Sequence, residues 1–186
     1  MRFRPVTLAA FALCLGLFIG LPERSFAQQS QNSQAQAPST LTYELGFSPF
    51  GNSLSVVVHA IESAKDTIVM ACYEFSSRPI ADALIAQHNN GVKVAIVADY
   101  KASFERYSLI PYLVKNGIPV RRDARCAILH DKFFCVDGQD VELGSLNYTS
   151  AATTHNAENA LVLYNVPDIA QRYLAEWQRL WDESQR

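Results

Sequence analysis

The stretch that decides the fold is His130-Asp131-Lys132-Phe133-Phe134-Cys135-Val136-Asp137. Its apolar centre predicts a strand, and a second apolar segment begins at Val141. The polar residues between them, Asp137-Gly138-Gln139-Asp140, predict a tight hairpin, because glycine followed by one polar residue suits a two-residue primed turn. Both faces of this hairpin carry apolar residues, so we expect it at the centre of a sheet.

The turn also predicts how the two strands pair. If Gly138 and Gln139 form the loop, polar residues of the two strands face each other. The expected cross-strand pairs are Lys132 with Ser145, and His130 with Asn147. Side chains two apart on a strand share a face, so all four polar groups would lie on one surface. Asp137, seven residues after His130, falls on the opposite face, and we assign it a structural role at the turn.

The four polar residue types suit the cleavage of a phosphodiester. A phosphodiester is an anion that repels nucleophiles. Its cleavage therefore needs a strong neutral attacker, cationic or amide donors for the non-bridging oxygens, and a proton for the departing oxygen. Imidazole, ammonium and carboxamide groups supply the first two requirements.

Together with a downstream glutamate, these positions resemble the phospholipase D superfamily, named for its H-x-K-x4-D motif. The matching positions are His130, Lys132, Asp137, Gly144, Ser145, Asn147 and Glu158. The likeness is greatest to the short secreted endonucleases of that superfamily, and it extends loosely from about Leu41 to the C-terminus. It implies a single α/β domain, an α/β/α sandwich around a central mixed sheet, that works without a metal or a cofactor.

The resemblance also implies a role for each side chain. His130 would attack phosphorus and form a phosphohistidine. Lys132 and Asn147 would bind the phosphate, with Ser145 as a nearby hydrogen-bonding group. Glu158 would hold the other imidazole nitrogen of His130. In the family, a second motif histidine protonates the leaving group, and water then resolves the intermediate.

The chain carries one copy of the motif, whereas the mechanism needs two histidines. A C2 homodimer supplies the second, because an isologous interface on the axis brings the same surface of both subunits together. We therefore expect two copies of His130 to meet, one as nucleophile and one as acid. The alternative is a monomer in which His155, whose ionisation range suits proton transfer, acts as the acid.

The remaining sequence predicts alternating strands and helices. The expected strands are 43–47, 67–73, 93–98, a short one at Val120, and 159–164. The expected helices begin near Asn52 or Ser53, Ser77, Ser108 and Pro167. Residues 41–186 are enough for one globular domain with its own core. Early alternation followed by a late antiparallel hairpin predicts a mixed sheet between helices.

The first 40 residues predict export. Arg2 and Arg4 precede an apolar run over residues 6–21, and Ser25-Phe26-Ala27 offers the small residues that a signal peptidase needs. The run is shorter than the roughly 20 residues that span a bilayer, so we expect a cleaved signal peptide, residues 1–27, and no membrane insertion of the mature chain. Residues 28–40 are polar and predict a flexible leader. The expected location is the periplasm or the medium.

Charge limits how the protein can bind nucleic acid. The formal net charge is -2, and without the three arginines and one glutamate of residues 1–27 the chain keeps 13 basic and 17 acidic residues. A globally basic surface is therefore excluded, and binding would need a local patch. Arg121, Arg122 and Arg125, just upstream of His130, are candidates for such contacts; the alternative is a solvated loop.

Three cysteines follow the predicted signal peptide. Cys126 and Cys135 are expected along one extended segment, roughly 30 Å apart at about 3.3 Å per residue, which is too far for a disulfide. Cys72 could pair with either of them, although burial of all three as small apolar side chains is the simpler expectation. No spacing resembles a zinc site.

Three functions compete. The first is a secreted nuclease that cuts DNA, with RNA as a second candidate, because the short chain lacks loops for a deep specific pocket. The second is hydrolysis of phospholipid headgroups by the same residues, although no amphipathic segment predicts lipid docking. A binding protein without chemistry would be expected to lack a catalytic residue, and every expected one is present.

Overall fold

Seven strands join in one mixed sheet within residues 41–185, the part of the chain that the computed structural model describes. The strands are β1 Thr42–Ser48, β2 Thr67–Cys72, β3 Lys93–Asp99, β4 Val120–Asp123, β5 Lys132–Val136, β6 Asp140–Gly144 and β7 Glu158–Tyr164. Their order is β1-β7-β6-β5-β2-β3-β4. The pairs of β2 with β3 and β3 with β4 are parallel, and the others are antiparallel. The predicted mixed sheet with a central hairpin is confirmed.

Helices cover both faces of this sheet. They are α1 Ser53–Glu62, α2 Arg78–Asn89, α3 Ile110–Lys115, α4 Ser150–Thr154 and α5 Pro167–Glu183, with a single 3-10 turn at Ala102–Phe104. Phe134 and Val136 of β5 pack towards α1 to α4, whereas Phe133 and Cys135 pack towards α5. The two-residue period of the strand thus builds both cores, and the predicted α/β/α sandwich is confirmed.

The predicted signal peptide and polar leader lie outside the described residues. Within residues 41–185, no helix is both long enough and apolar enough to cross a membrane.

The turn between β5 and β6 differs from our prediction by one residue. Asp137 and Gly138 occupy its centre with φ of 52° and 67°, and the Gln139 amide donates to the Val136 carbonyl over 3.0 Å. Two positive φ values in succession suit Asp-Gly better than Gly-Gln, because glutamine tolerates the left-handed region poorly. Phe133 consequently pairs with Leu143. The predicted pairs of Lys132 with Ser145 and His130 with Asn147 are wrong, since β5 begins only at Lys132 and β6 ends at Gly144.

The Asp137 carboxylate joins this turn to the start of β2. It accepts the backbone amides of Lys65, Asp66 and Thr67 at 2.9, 2.9 and 2.8 Å. Partial burial raises its pKa, but the three amides outweigh burial and hold the pKa below its ordinary value. Asp137 therefore makes the contacts of a structural residue.

The cysteines also correct the sequence analysis. Cys72, Cys126 and Cys135 are all free thiols; Cys72 and Cys135 are buried, but Cys126 is exposed. The expected single extended segment does not exist, because β4 and β5 are separate strands with β2 and β3 between them. Cys126 lies in the connection between β4 and β5 and is not part of the core.

Candidate active site

One edge of the sheet collects the motif residues singled out from the sequence, except for Asp137. At this edge β2, β3 and β6 end, whereas β5 and β7 begin. His130 lies two residues before β5 and is exposed. Its ring packs beside Tyr73, which follows β2, with 4.9 Å between the ring centroids and 51° between the planes. The carboxyl ends of the parallel strands thus position the imidazole, as in other open α/β sheets.

The backbone before His130 is held by a buried carboxylate. Asp99, the last residue of β3, accepts the Leu129 amide through Oδ2 at 3.0 Å and the Ala102 amide through Oδ1 at 2.8 Å. Leu129 is itself buried in the core under α5. The His130 ring is therefore exposed on an anchored main chain, which favours a functional role for that ring.

Lys132 begins β5 and lies next to His130. Its Nζ donates to the His130 carbonyl and lies 5.6 Å from the centre of the Tyr73 ring. Burial lowers the pKa of the ammonium, while the nearby carboxylates of Asp131, Glu158 and Glu74 counteract this. A partly desolvated ammonium can bind an incoming anion strongly.

Glu158 and Ser145 form a hydrogen-bonded pair. Ser145 Oγ donates to Glu158 Oε2 at 2.6 Å, and Asn156 Nδ2 donates to Glu158 Oε1 at 3.2 Å. Both carboxylate oxygens of Glu158 thus have partners other than His130 in this chain. Its expected contact with the His130 imidazole stays a prediction.

Gly144 allows the close approach that places Ser145. A Cβ on Gly144 would lie 2.2 Å from the Asn159 carbonyl oxygen, so any side chain there would collide with β7. The Ser145 amide donates to that same carbonyl at 3.1 Å, and the Asn159 amide donates to Ser145 Oγ at 3.1 Å. The Gly-Ser sequence therefore fixes the serine hydroxyl at the sheet edge.

Asn147 stands in the loop that follows β6. Its Oδ1 is buried and has no hydrogen-bond partner among residues 41–185. The next residue, Tyr148, is buried, and its carbonyl accepts the Ser76 and Ser77 amides at 2.9 Å each. These bonds tie the Asn147 loop to the segment after Tyr73, so the carboxamide belongs to the same edge of the sheet as His130.

Two of the three arginines pack against aromatic rings of the protein, whereas Arg125 is exposed. Arg121 lies 4.5 Å over the Trp181 ring and donates to the Trp181 carbonyl at 2.6 Å. Arg122 lies 5.1 Å from the Phe104 ring centre, and Arg125 Nε is 4.0 Å from a carboxylate oxygen of Glu183. Their contact with nucleic acid stays a prediction.

His155, the alternative acid, lies just past α4. It is exposed, and its Nδ1 shares a 2.6 Å hydrogen bond with Thr154 Oγ1. Its proposed role in proton transfer stays a prediction.

Sequence reasoning missed several residues of this site. Tyr73 packs on His130, Asp99 anchors the preceding backbone, and Asn156 binds Glu158. Tyr73 and Asp99 could have been found, because they lie at the carboxyl ends of β2 and β3, where α/β sheets carry their sites. Asn156 belongs to an irregular loop, and no sequence pattern indicates its partner.

A metal centre is not formed by the described residues. No group of three or more histidine, cysteine, aspartate or glutamate side chains in residues 41–185 could hold a metal ion.

Comparisons with known proteins agree with this arrangement. Residues 57–181 match the family described as "Cardiolipin synthase, PLD-like domain". The crystal structure of a phospholipase D family member, Nuc from Salmonella typhimurium, is 40% identical, with a TM-score of 0.76 over 78% of this chain and 97% of Nuc.

Longer relatives match as well. The mitochondrial cardiolipin hydrolase of Mus musculus is 33% identical over 132 residues, and phospholipase D of Rickettsia conorii is 32% identical over 131 residues. The matched segments make up 71% and 70% of this chain, but only 59% and 65% of those proteins. Because the family match spans most of the described sheet and both flanking layers, the chain belongs to the phospholipase D superfamily.

Proposed function

We propose that the chain is a metal-independent phosphodiesterase that cuts nucleic acid through a covalent phosphohistidine on His130. The observation that carries this proposal is the exposed His130 ring on an anchored backbone, with the Lys132 ammonium beside it. The DNA backbone is the proposed substrate, with RNA as a second candidate. The match to Nuc covers 97% of that protein, and this likeness supports a nucleic acid rather than a lipid as the substrate.

The proposed reaction has two steps. A neutral His130 nitrogen attacks phosphorus, and the bond to the leaving oxygen breaks as a second histidine donates its proton to that oxygen. Water then attacks phosphorus, the bond between phosphorus and the His130 nitrogen breaks, and the second histidine, now a base, accepts the proton that the water loses. Lys132 and Asn147 hold the non-bridging oxygens, and Glu158 orients the imidazole in the assembled site.

We propose that the second histidine is His130 of another copy of the chain in a C2 dimer. Exposed apolar side chains surround this edge of the sheet and support a packing surface there. Phe47 and Phe50 lie at the end of β1, next to the start of β7, and Ile128 lies two residues before His130. Apolar groups around a polar centre are typical of subunit interfaces.

A phospholipase D activity on lipid headgroups is the second candidate. It is favoured by the relatives named cardiolipin hydrolase and phospholipase D. The same residues could cleave either substrate, because both present a phosphodiester.

For the location, we propose the periplasm or the medium. Arg2, Arg4, the apolar run over residues 6–21 and Ser25-Phe26-Ala27 support a cleaved signal peptide.

Plasmid nicking tests the proposed function. The mature protein, residues 28–186, should nick supercoiled plasmid in excess chelator, and His130→Ala should abolish this activity because the nucleophile is lost. Gel electrophoresis measures the conversion to open circles.

Two comparisons decide between the alternatives. His155→Ala should keep full activity; its loss would favour the monomer with His155 as acid. Release of choline from phosphatidylcholine vesicles, with the plasmid left intact, would favour the lipase.

A further inference from the structure

A groove of about 500 Å³ leads away from the candidate site. Tyr73 and Glu74 line it, and the Tyr73 ring packs beside the His130 ring. Its lining also includes Lys101, Glu105 and Tyr107, in the segment after β3. The groove is therefore continuous with the place where the scissile phosphate would lie.

Exposed aromatic rings cluster in the segment after β3. Tyr107 is 75% exposed, Phe104 63% and Tyr100 40%. Tyr100 and Phe104 pack edge to face with 5.2 Å between their centroids, and the Arg106 guanidinium lies 5.4 Å from the centre of the Tyr107 ring. Clustered aromatic side chains that are exposed to solvent beside a groove are typical of a ligand-binding surface.

This segment is fixed relative to His130. The buried Asp99 carboxylate that accepts the Leu129 amide also accepts the Ala102 amide, and the buried Ser103 hydroxyl donates to the Asp99 carbonyl at 2.5 Å. One residue thus holds both the backbone before His130 and the turn that carries the aromatic rings. The spacing between the rings and the imidazole is set by the fold, as a substrate subsite requires.

Charge indicates which part of a nucleic acid would enter. Lys101 in the groove is offset by Glu74 and Glu105, so the lining does not attract phosphates. Aromatic faces and carboxylates suit bases instead, because bases stack on rings and their amino groups donate to carboxylates.

We propose that this groove binds unpaired bases beside the scissile phosphate, with Tyr107 as a stacking platform, so that single-stranded nucleic acid is cut in preference to duplex. Bases in a duplex are stacked on one another and do not offer their faces to a side chain. This inference rests on the proposed nuclease function for its catalytic consequence, but the binding of single strands can be measured separately.

The experiment compares Tyr107→Ala with the wild type on three substrates. They are a single-stranded oligonucleotide, the corresponding duplex, and bis(p-nitrophenyl) phosphate, which has no base. The variant should lower kcat/KM on the single strand about tenfold, since one stacked base contributes on that scale. The rate of Tyr107→Ala on the small diester should equal that of the wild type. Tyr107→Phe keeps the aromatic ring, so it should cleave the single strand at the wild-type rate.

Ile169→Ala is the matched control, because Ile169 is an exposed apolar side chain on α5, on the other face of the sheet. It should leave all three rates unchanged. Unchanged single-strand cleavage by Tyr107→Ala, an equal loss on the small diester, or a wild-type preference for the duplex would overturn the proposal.

The proposed function can fail independently. If the wild type cleaves no diester, fluorescence anisotropy with a labelled oligothymidylate still tests whether the groove binds single strands. Weaker binding by Tyr107→Ala than by Ile169→Ala supports the groove, whereas equal binding overturns it.

Discussion

Glu142 is a buried carboxyl group beneath the candidate site. It lies on β6 and is fully buried, and its Oε2 accepts a hydrogen bond of 2.6 Å from the Tyr148 hydroxyl. Burial raises its pKa to about 8, although the hydrogen bond from Tyr148 opposes this. Since Tyr148 adjoins Asn147 and its carbonyl binds the Ser76 and Ser77 amides, this pair supports the loop that carries the carboxamide.

Replacement of Glu142 by glutamine should flatten the pH dependence of stability. The folded pKa lies above the ordinary value of 4.5, so the unfolded chain loses the proton first as the pH rises. The stabilising contribution of Glu142 is therefore fully present below about pH 4.5. It is lost as the pH rises to about 8. We expect a loss of about 5 kcal/mol over that window, and none of it in Glu142→Gln.

Urea unfolding at pH 5, 6.5 and 8 measures this difference. Glu142→Gln should unfold at a higher urea concentration than the wild type at pH 8 and at a similar one at pH 5. Parallel pH profiles for the two proteins would show that the pKa of Glu142 is not raised in the folded protein.

Among the secondary-structure elements, those with a strong apolar period were predictable from the sequence. Strand β2 and helix α5 follow their patterns closely, because each buries one or two defined faces. Helix α4, Ser150–Thr154, was missed, since five small residues carry no helical period. It is capped by Thr149, whose Oγ1 accepts the Ala152 amide at 3.1 Å.

The β5–β6 turn shows why the motif residues could be named but not placed. The central position of the hairpin was predictable from its apolar residues, but the predicted two-residue loop is wrong, because three residues separate the paired Val136 and Asp140. The register follows from the Asp137-Gly138 turn, whereas the contact of Asp137 with the three amides of residues 65–67, about 70 residues away in sequence, is not indicated by any local pattern. Ser145 reaches the site through Glu158 on β7 instead of through strand pairing with β5.

Asp137→Asn should destabilise the fold without removing chemistry. Asparagine tolerates the positive φ of the turn but accepts fewer of the three amide bonds, so we expect a loss of about 1 to 3 kcal/mol. Strand β5 separates this turn from His130, so the activity at low temperature should stay near that of the wild type. Urea unfolding and plasmid nicking at 10 °C measure the two effects. A large loss of activity in a folded Asp137→Asn protein would instead assign this carboxylate to catalysis.

At the level of the whole molecule, the site is assembled from loops that are distant in sequence. The segments after β2, before β5 and after β6 contribute Tyr73, His130 and Asn147, and β7 contributes its first residue, Glu158. Strand order alone brings them together, because β2, β5, β6 and β7 are consecutive neighbours in the sheet. Each sheet edge carries one copy of His130, and the proposed mechanism needs a second imidazole at the same phosphate.

Subunit mixing tests whether that second imidazole comes from another copy. If both copies of His130 act on one phosphate, a dimer with a single His130→Ala subunit is inactive. Wild type and His130→Ala unfolded together in equal amounts and refolded should then keep about a quarter of the activity of the same total amount of wild type, since random pairing leaves that share of intact dimers. Independent subunits would keep about half. Light scattering on the mixture should give twice the monomer mass, and refolded wild type alone is the control for recovery. An activity near half would contradict the shared site, and so would a monomer mass for fully active wild type. Either result would indicate that the acid is a residue of the same chain.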